Sequence, residues 1–253
     1  MMAVPIYRDN RIRLTGLQRF FILYMKKLLV FIISVCSFII ACKDKAKESK
    51  AELETRDSIQ AINRNADSLL KAKHIQDSIK LRHRKDSILL RLTNNILLTL
   101  KNKNYSAFAN YIHPVSGIRF SPYGYVDTLS HLRFSRQKFI ATAKEDNQDM
   151  IVWGEFDGTG DPIKMTLNNY MQRFVYDVDF VKPEKRTVND FVGDGNSLNN
   201  LSSVYKDCDF TESYFSGFKK EYAGMDWKSL RLVFKERSGR FFLVGIVHDE
   251  WTI

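Results

Sequence analysis

His248 is the residue best placed to do chemistry. It sits in His248-Asp249-Glu250-Trp251, with Asp226 upstream in Gly224-Met225-Asp226-Trp227. An imidazole oriented by a carboxylate is the minimal general base near neutral pH. His248 with Asp226 is therefore the candidate catalytic pair. Asp249, next in a strand, projects to the opposite face and is not assumed to be the partner. His113 precedes Pro114 at a predicted helix end, where capping or packing explains it. Asp157-Gly-Thr-Gly-Asp161 holds two carboxylates in a glycine turn. It lacks the acidic run and distal Glu of a calcium loop. The chain has no P-loop, G-x-S-x-G, H-E-x-x-H or zinc spacing, so neither metal nor cofactor is expected.

The cysteines tell more about address than about chemistry. Leu28 to Ala41 is a run of apolar and small residues between Lys26-Lys27 and Cys42. A basic start, a short apolar run and a small residue before the cut describe a secretory signal. The run is too short for a membrane span, which needs about 20 apolar residues. Ile39-Ile40-Ala41-Cys42 resembles the bacterial lipobox, which implies lipidation at Cys42. Met25-Lys26-Lys27 opens a complete signal, so residues 1–24 read as an extension of the gene model and 25–41 as the signal peptide. Cys36 leaves with the leader, and Cys208 alone remains as a thiol. Asp207 and Asp209 beside it oppose thiolate chemistry.

The formal charge of +10 is unevenly placed. Residues 1–41 carry net +5, residues 42–104 net +7, and residues 105–253 net −2. A nucleic-acid-binding domain carries its basic patch on its own folded surface. The split argues against nucleic acid as a partner.

The elements that must position these groups follow from pattern. Residues 43–104 contain neither Gly nor Pro and are rich in charged residues, which favours a helical stalk over 42–85. Asp-Ser-aliphatic triplets begin at Asp57, Asp67, Asp77 and Asp86. Ten residues fall about 80° short of three turns, so the triplets wander around the helix. Ile59, Ile62, Ala66 and Leu69 give only a short heptad seam, enough for weak self-association. A domain is expected over 86–253. Ile88, Leu89, Leu92, Ile96, Leu97 and Leu100 form its first apolar helix face. A short helix from Tyr105 to Ile112 follows. Ser135 and Thr166 stand as N-caps of two further helices. Strands are expected at 118–121, 132–134, 150–156 and 209–215, with a long loop over 182–200.

Trp227 to Lys235 and Arg240 to Trp251 read as two long strands. A three-residue loop ending at Gly239 pairs Phe234 with Phe242, Leu232 with Val244 and Leu230 with Ile246. His248 then lies opposite Lys228 on the core face. Ser229, Arg231, Val247 and Asp249 point the other way.

Several strings resemble a family of uncharacterised bacterial lipoproteins with an NTF2-like (cystatin-related) domain. They are His113-Pro114, Gly117-Ile118-Arg119-Phe120-Ser121-Pro122-Tyr123, Trp153-Gly154, Asp157-Gly158 and Phe174-Val175-Tyr176-Asp177. Tyr222-Ala223-Gly224-Met225-Asp226-Trp227 and His248-Asp249-Glu250-Trp251-Thr252 complete the set. The resemblance covers roughly residues 94–253. It implies an α+β cone, in which a curved antiparallel sheet packs on helices, and it implies no activity. Arg119, Tyr123, Trp153, Tyr176, Tyr222 and Trp227 are candidates to line one concave pocket. The leading expectation is a lipid-anchored envelope protein, assigned to the outer membrane by its Lys43, that binds a small molecule, a glycan or an envelope protein. A small enzyme using His248 is the alternative, and a structural spacer acting through its stalk is a third reading.

Overall fold

The computed structural model describes residues 50–144, 147–193, 195 and 198–252, with the side chains of 50–54 left aside. The leader, Cys42 and Lys43 lie outside the described residues. The chain divides into two compact units between His74 and Ile75. Of the first unit, the described residues are helical, and from residue 55 onward they are exposed. The helix itself, α1 (Lys50–Lys101), is unbroken, so no change of conformation marks residues 85–86. Its run without Gly or Pro explains that continuity. Among the described residues no helix is long and apolar enough to cross a membrane.

The second unit is mixed α+β. After α1 come α2 (Tyr105–Ala109), β1 (Ile118–Ser121), β2 (Arg133–Phe134) and α3 (Arg136–Thr142). Then follow β3 (Ile151–Glu155), β4 (Pro162–Met165), α4 (Leu167–Phe174), β5 (Lys185–Val188) and α5 (Leu201–Val204). The chain closes with β6 (Asp209–Phe215), β7 (Lys228–Arg237) and β8 (Arg240–Glu250). Ser135 caps α3 by accepting from the Lys138 N–H, and Thr166 caps α4 by accepting from the Asn169 N–H. Six strands form one sheet in the order β2-β1-β8-β7-β6-β5, while β3 and β4 pair separately. The sheet is mixed rather than antiparallel throughout, because β1 runs parallel to β8.

Both faces of the sheet are covered. The larger core lies on one face, where Leu89, Ile96, Leu97 and Leu100 of α1 join Phe108, Phe139, Tyr170 and Phe174 over Leu230, Leu232 and Ile246. Thr93 and Thr211 share a buried hydroxyl–hydroxyl bond of 2.7 Å between α1 and β6. On the other face Val126, Leu201, Tyr205 and Phe210 pack on Val233, Val244 and Val247. The stretch expected as a plain loop over 182–200 supplies β5 and part of this second cover. Cys208 packs beside the second cluster, where burial and then Asp207 and Asp209 push its thiol up.

The β7–β8 register differs from expectation. The turn is the two-residue Ser238-Gly239, with φ of 51° and 74°, and it pairs Arg237 with Arg240. Positive φ at both positions matches the right-handed twist of the strands. Val244 is then an extra residue, because Val233 pairs with Gly245 and Phe234 with Leu243. Beyond this bulge Leu232 faces Ile246, Leu230 faces His248, and Lys228 faces Glu250. The expected face is kept, displaced by two residues, and Val244 itself turns to the second cluster.

Candidate functional site

The displaced register builds a charged cluster at the end of the larger core. His248 and Glu250, two residues apart, project to the same face of β8. β7 brings Lys228 opposite Glu250. The last turn of α4 brings Arg173, and the segment after it brings Asp177. Arg173 Nη2 donates to Glu250 Oε1 at 2.6 Å, and its guanidinium lies over Phe174, 4.5 Å from the ring centre. Lys228 Nζ pairs with Asp177 Oδ2 at 2.9 Å and also with Glu250 Oε2.

His248 is fully buried, edge-on to Phe174 at 6.0 Å. Its Nδ1 lies 3.3 Å from the Pro122 carbonyl and its Nε2 lies 3.2 Å from Asp177 Oδ2. A carbonyl only accepts, so Nδ1 carries a proton. Both ring nitrogens are therefore engaged inside the protein. Burial opposes ionisation of Asp177, but the hydrogen bond and charge of His248, with Lys228, hold it down to about 2. Burial likewise opposes Glu250, and Arg173, His248 and Lys228 hold it below the ordinary range.

The carboxylate at His248 is thus Asp177 and not Asp226. Asp226 Oδ2 accepts from the N–H groups of Phe218 and Lys219 at 3.0 and 2.9 Å, tying the turn before β7. Asp249 points to the other face, as the alternation requires, and accepts from Arg231 Nη1 at 2.8 Å. His113 holds its own turn, where Nδ1 accepts from the Ser116 N–H at 2.8 Å.

The six candidate pocket residues do not converge. Arg119 is buried and donates to the carbonyls of Asp127 and His131. Trp153 is fully buried core, stacked on Tyr170 at 3.9 Å, and its Nε1 donates to the Met165 carbonyl. The Tyr176 hydroxyl donates to Asp179 Oδ1. Tyr222 is exposed on a short turn under the Lys219 ammonium. Trp227 is buried against Gly193 and Gly195. Tyr123 lines a groove.

That groove has a volume of about 870 Å³. Tyr123 and Tyr125 supply aromatic surface, and Asp127, Glu155 and Asp157 supply carboxylates. Neither Lys nor Arg lines it among the described residues. Tyr123 packs edge-on against Phe174 at 5.7 Å, so the groove abuts the charged cluster. Asp127 accepts from Ser130 Oγ and from the N–H groups of Leu129 and Ser130, which hold its carboxyl down to about 2. Burial pushes His131 down to about 4, so its ring is neutral at pH 7. Its Nδ1 accepts from the Asp127 N–H at 3.1 Å, which leaves the ring proton on Nε2.

A second charged system lies on the other face and is fully buried. Arg231 pairs with Glu212 at 3.1 Å and with Asp249 at 2.8 Å. Glu212 also accepts from the N–H groups of Val192 and Gly193, and Arg231 donates to the Gly193 carbonyl. The segment around residue 193 is clasped to the sheet by charge. Its glycine is required for close approach, since a Cβ there would meet the Trp227 ring at 2.9 Å.

Compared with protein-family models, curated proteins and solved structures, the chain finds no significant match.

Proposed function

We propose that this chain is a lipid-anchored envelope protein, attached through Cys42, whose NTF2-like domain binds a hydroxyl-rich ligand of the glycan class. The groove carries the reading: two tyrosines beside three carboxylates, with no lining Lys or Arg among the described residues. Aromatic faces pack on the C–H faces of sugars, and ionised carboxylates accept from their hydroxyls. The same lining disfavours phosphate and other anions. Binding is preferred over general-base catalysis because both nitrogens of His248 are occupied by Pro122 and Asp177. The apolar run ending at Ala41-Cys42 supports the anchor and the export that goes with it. Helices α1 to α4 packed on the larger-core face of the six-stranded sheet support the cone. On the first unit Ile59, Ile62 and Leu69 are exposed, which supports weak self-association there.

The test is calorimetry of the detergent-solubilised full chain against neutral and amino-sugar oligosaccharides, chitooligosaccharides first. Saturable binding lost in Asp157→Asn and Tyr125→Ala supports the groove. No heat from any member of either class refutes it. Mass spectrometry of the same protein reads the anchor: a diacylglyceryl Cys42 is expected, and an unmodified cysteine refutes that part alone.

A further inference from the structure

We infer that Asp177, His248 and Glu250 form a binding site for a divalent transition-metal ion, with Lys228 as a displaceable cation in its place. The donor set is one imidazole nitrogen and two carboxylates, and one ligand atom from each lies within 4.8 Å of the others. Tetrahedral ligand atoms about 2.0–2.2 Å from one ion lie about 3.3–3.6 Å apart, so donors within 4.8 Å of one another reach one ion by small side-chain shifts. Mixed nitrogen and oxygen donors suit a first-row ion such as Zn²⁺ better than Ca²⁺.

Three further observations point to a cation. The bond to the Pro122 carbonyl keeps a proton on His248 Nδ1, so the Nε2 proton that meets Asp177 is the one an incoming ion displaces. A histidine braced by a backbone carbonyl in this way is the usual outer-shell arrangement of a metal ligand. Arg173 braces Glu250 from the other side. Asp177 Oδ1 is buried and has no hydrogen-bond partner among the described residues. A buried carboxylate oxygen left without a donor is costly unless something else meets it.

Lys228 shows where positive charge belongs, since its ammonium touches both carboxylates. It is also the member free to leave. Its side chain is 18% exposed, whereas His248 is fully buried. A flexible four-carbon stem can carry the ammonium into water, where it is strongly hydrated. Three protein ligands leave an open coordination position for water or a ligand oxygen. Tyr123, which lines the groove, packs against the same Phe174 as His248. The metal site does not depend on the glycan reading.

The experiment uses the full chain stripped with chelator, titrated with Zn²⁺ against a competing chromophoric chelator. Wild type is expected to take up one Zn²⁺ per chain with micromolar affinity. Asp177→Asn and Glu250→Gln each weaken it by roughly 10–100-fold, as loss of one ligand should. Lys228→Met tightens it by about tenfold or more, because the competing cation is gone. Its melting temperature also rises more with Zn²⁺ than that of wild type. Lys228→Met keeps the test decisive where a ligand variant fails to fold, because it gains binding. The proposal is overturned if wild type shows no stoichiometric uptake below about 1 mM. It is equally overturned if uptake is unchanged by both carboxylate variants, or if Lys228→Met weakens it.

Discussion

Lys228 and Glu250 face each other across the β7–β8 ladder, and the same ammonium reaches Asp177 at 2.9 Å. One side chain thereby joins the closing hairpin to the segment after α4. In metal-free protein, Lys228→Met leaves two carboxylates without their shared cation. A loss of roughly 2–3 kcal/mol is expected, reduced from the fully buried case because the mouth of the cluster meets solvent. Urea unfolding in the presence of chelator measures it.

Arg231 is more deeply committed, since it and Glu212 are fully buried on the opposite face. Arg231→Met removes the buried guanidinium from between Glu212 and Asp249 and should cost about 3–5 kcal/mol. Adding Glu212→Gln and Asp249→Asn should recover part of that loss. A denaturation series of the single and triple variants decides, and a single variant as stable as wild type contradicts the assignment.

His131 predicts an acid-side loss of stability. Burial lowers its folded value to about 4, below the ordinary 6.5. Between those values the unfolded chain takes up a proton that the folded chain refuses. Its contribution is complete above 6.5 and is lost as pH falls toward about 4. His131→Gln should flatten the dependence of melting temperature on pH between 6.5 and 4.

Gly193→Ala brings a Cβ to 2.9 Å from the Trp227 ring and 3.0 Å from Glu212 Oε1. A cost of about 1–3 kcal/mol is expected from overpacking. Accelerated proteolysis near residue 193, with β8 still protected, would show that the clasp loosens before the sheet.

Tyr125 is 49% exposed and lies outside both hydrophobic clusters. Tyr125→Ala should leave stability within about 0.5 kcal/mol of wild type. Oligosaccharide affinity should fall about fivefold or more with the lost aromatic contact. Equal affinity in the two proteins would remove the tyrosine from the site.

Local signals were readable where one residue does one job. Ser135 and Thr166 cap their helices because a hydroxyl ahead of an apolar run meets free N–H groups whatever packs above. The face of His248 followed from alternation alone. Its partner did not, because Asp177 reaches it over 71 positions of chain and sits in no spacing motif. The aromatics misled for a different reason. Trp153 and Trp227 look available in one dimension, but a sheet covered on both faces buries them in separate places. Nor does Arg231, between Leu230 and Leu232, reveal that its outward face is sealed by residues 192–193.

Val244 has a consequence for how this hairpin tolerates change in length. It is supernumerary, since Leu243 already pairs with Phe234 and Gly245 with Val233. Excising it would heal the ladder into an uninterrupted one, leaving Ser238-Gly239 at the tip and Glu250 against Lys228. Every neighbour would keep its side, and the strand would lose its local kink and added coil. A one-codon deletion here is thus a frame-preserving event in three dimensions as well as in the gene. What it would cost is the Val244 side chain in the second cluster and the local kink of the strand that carries His248.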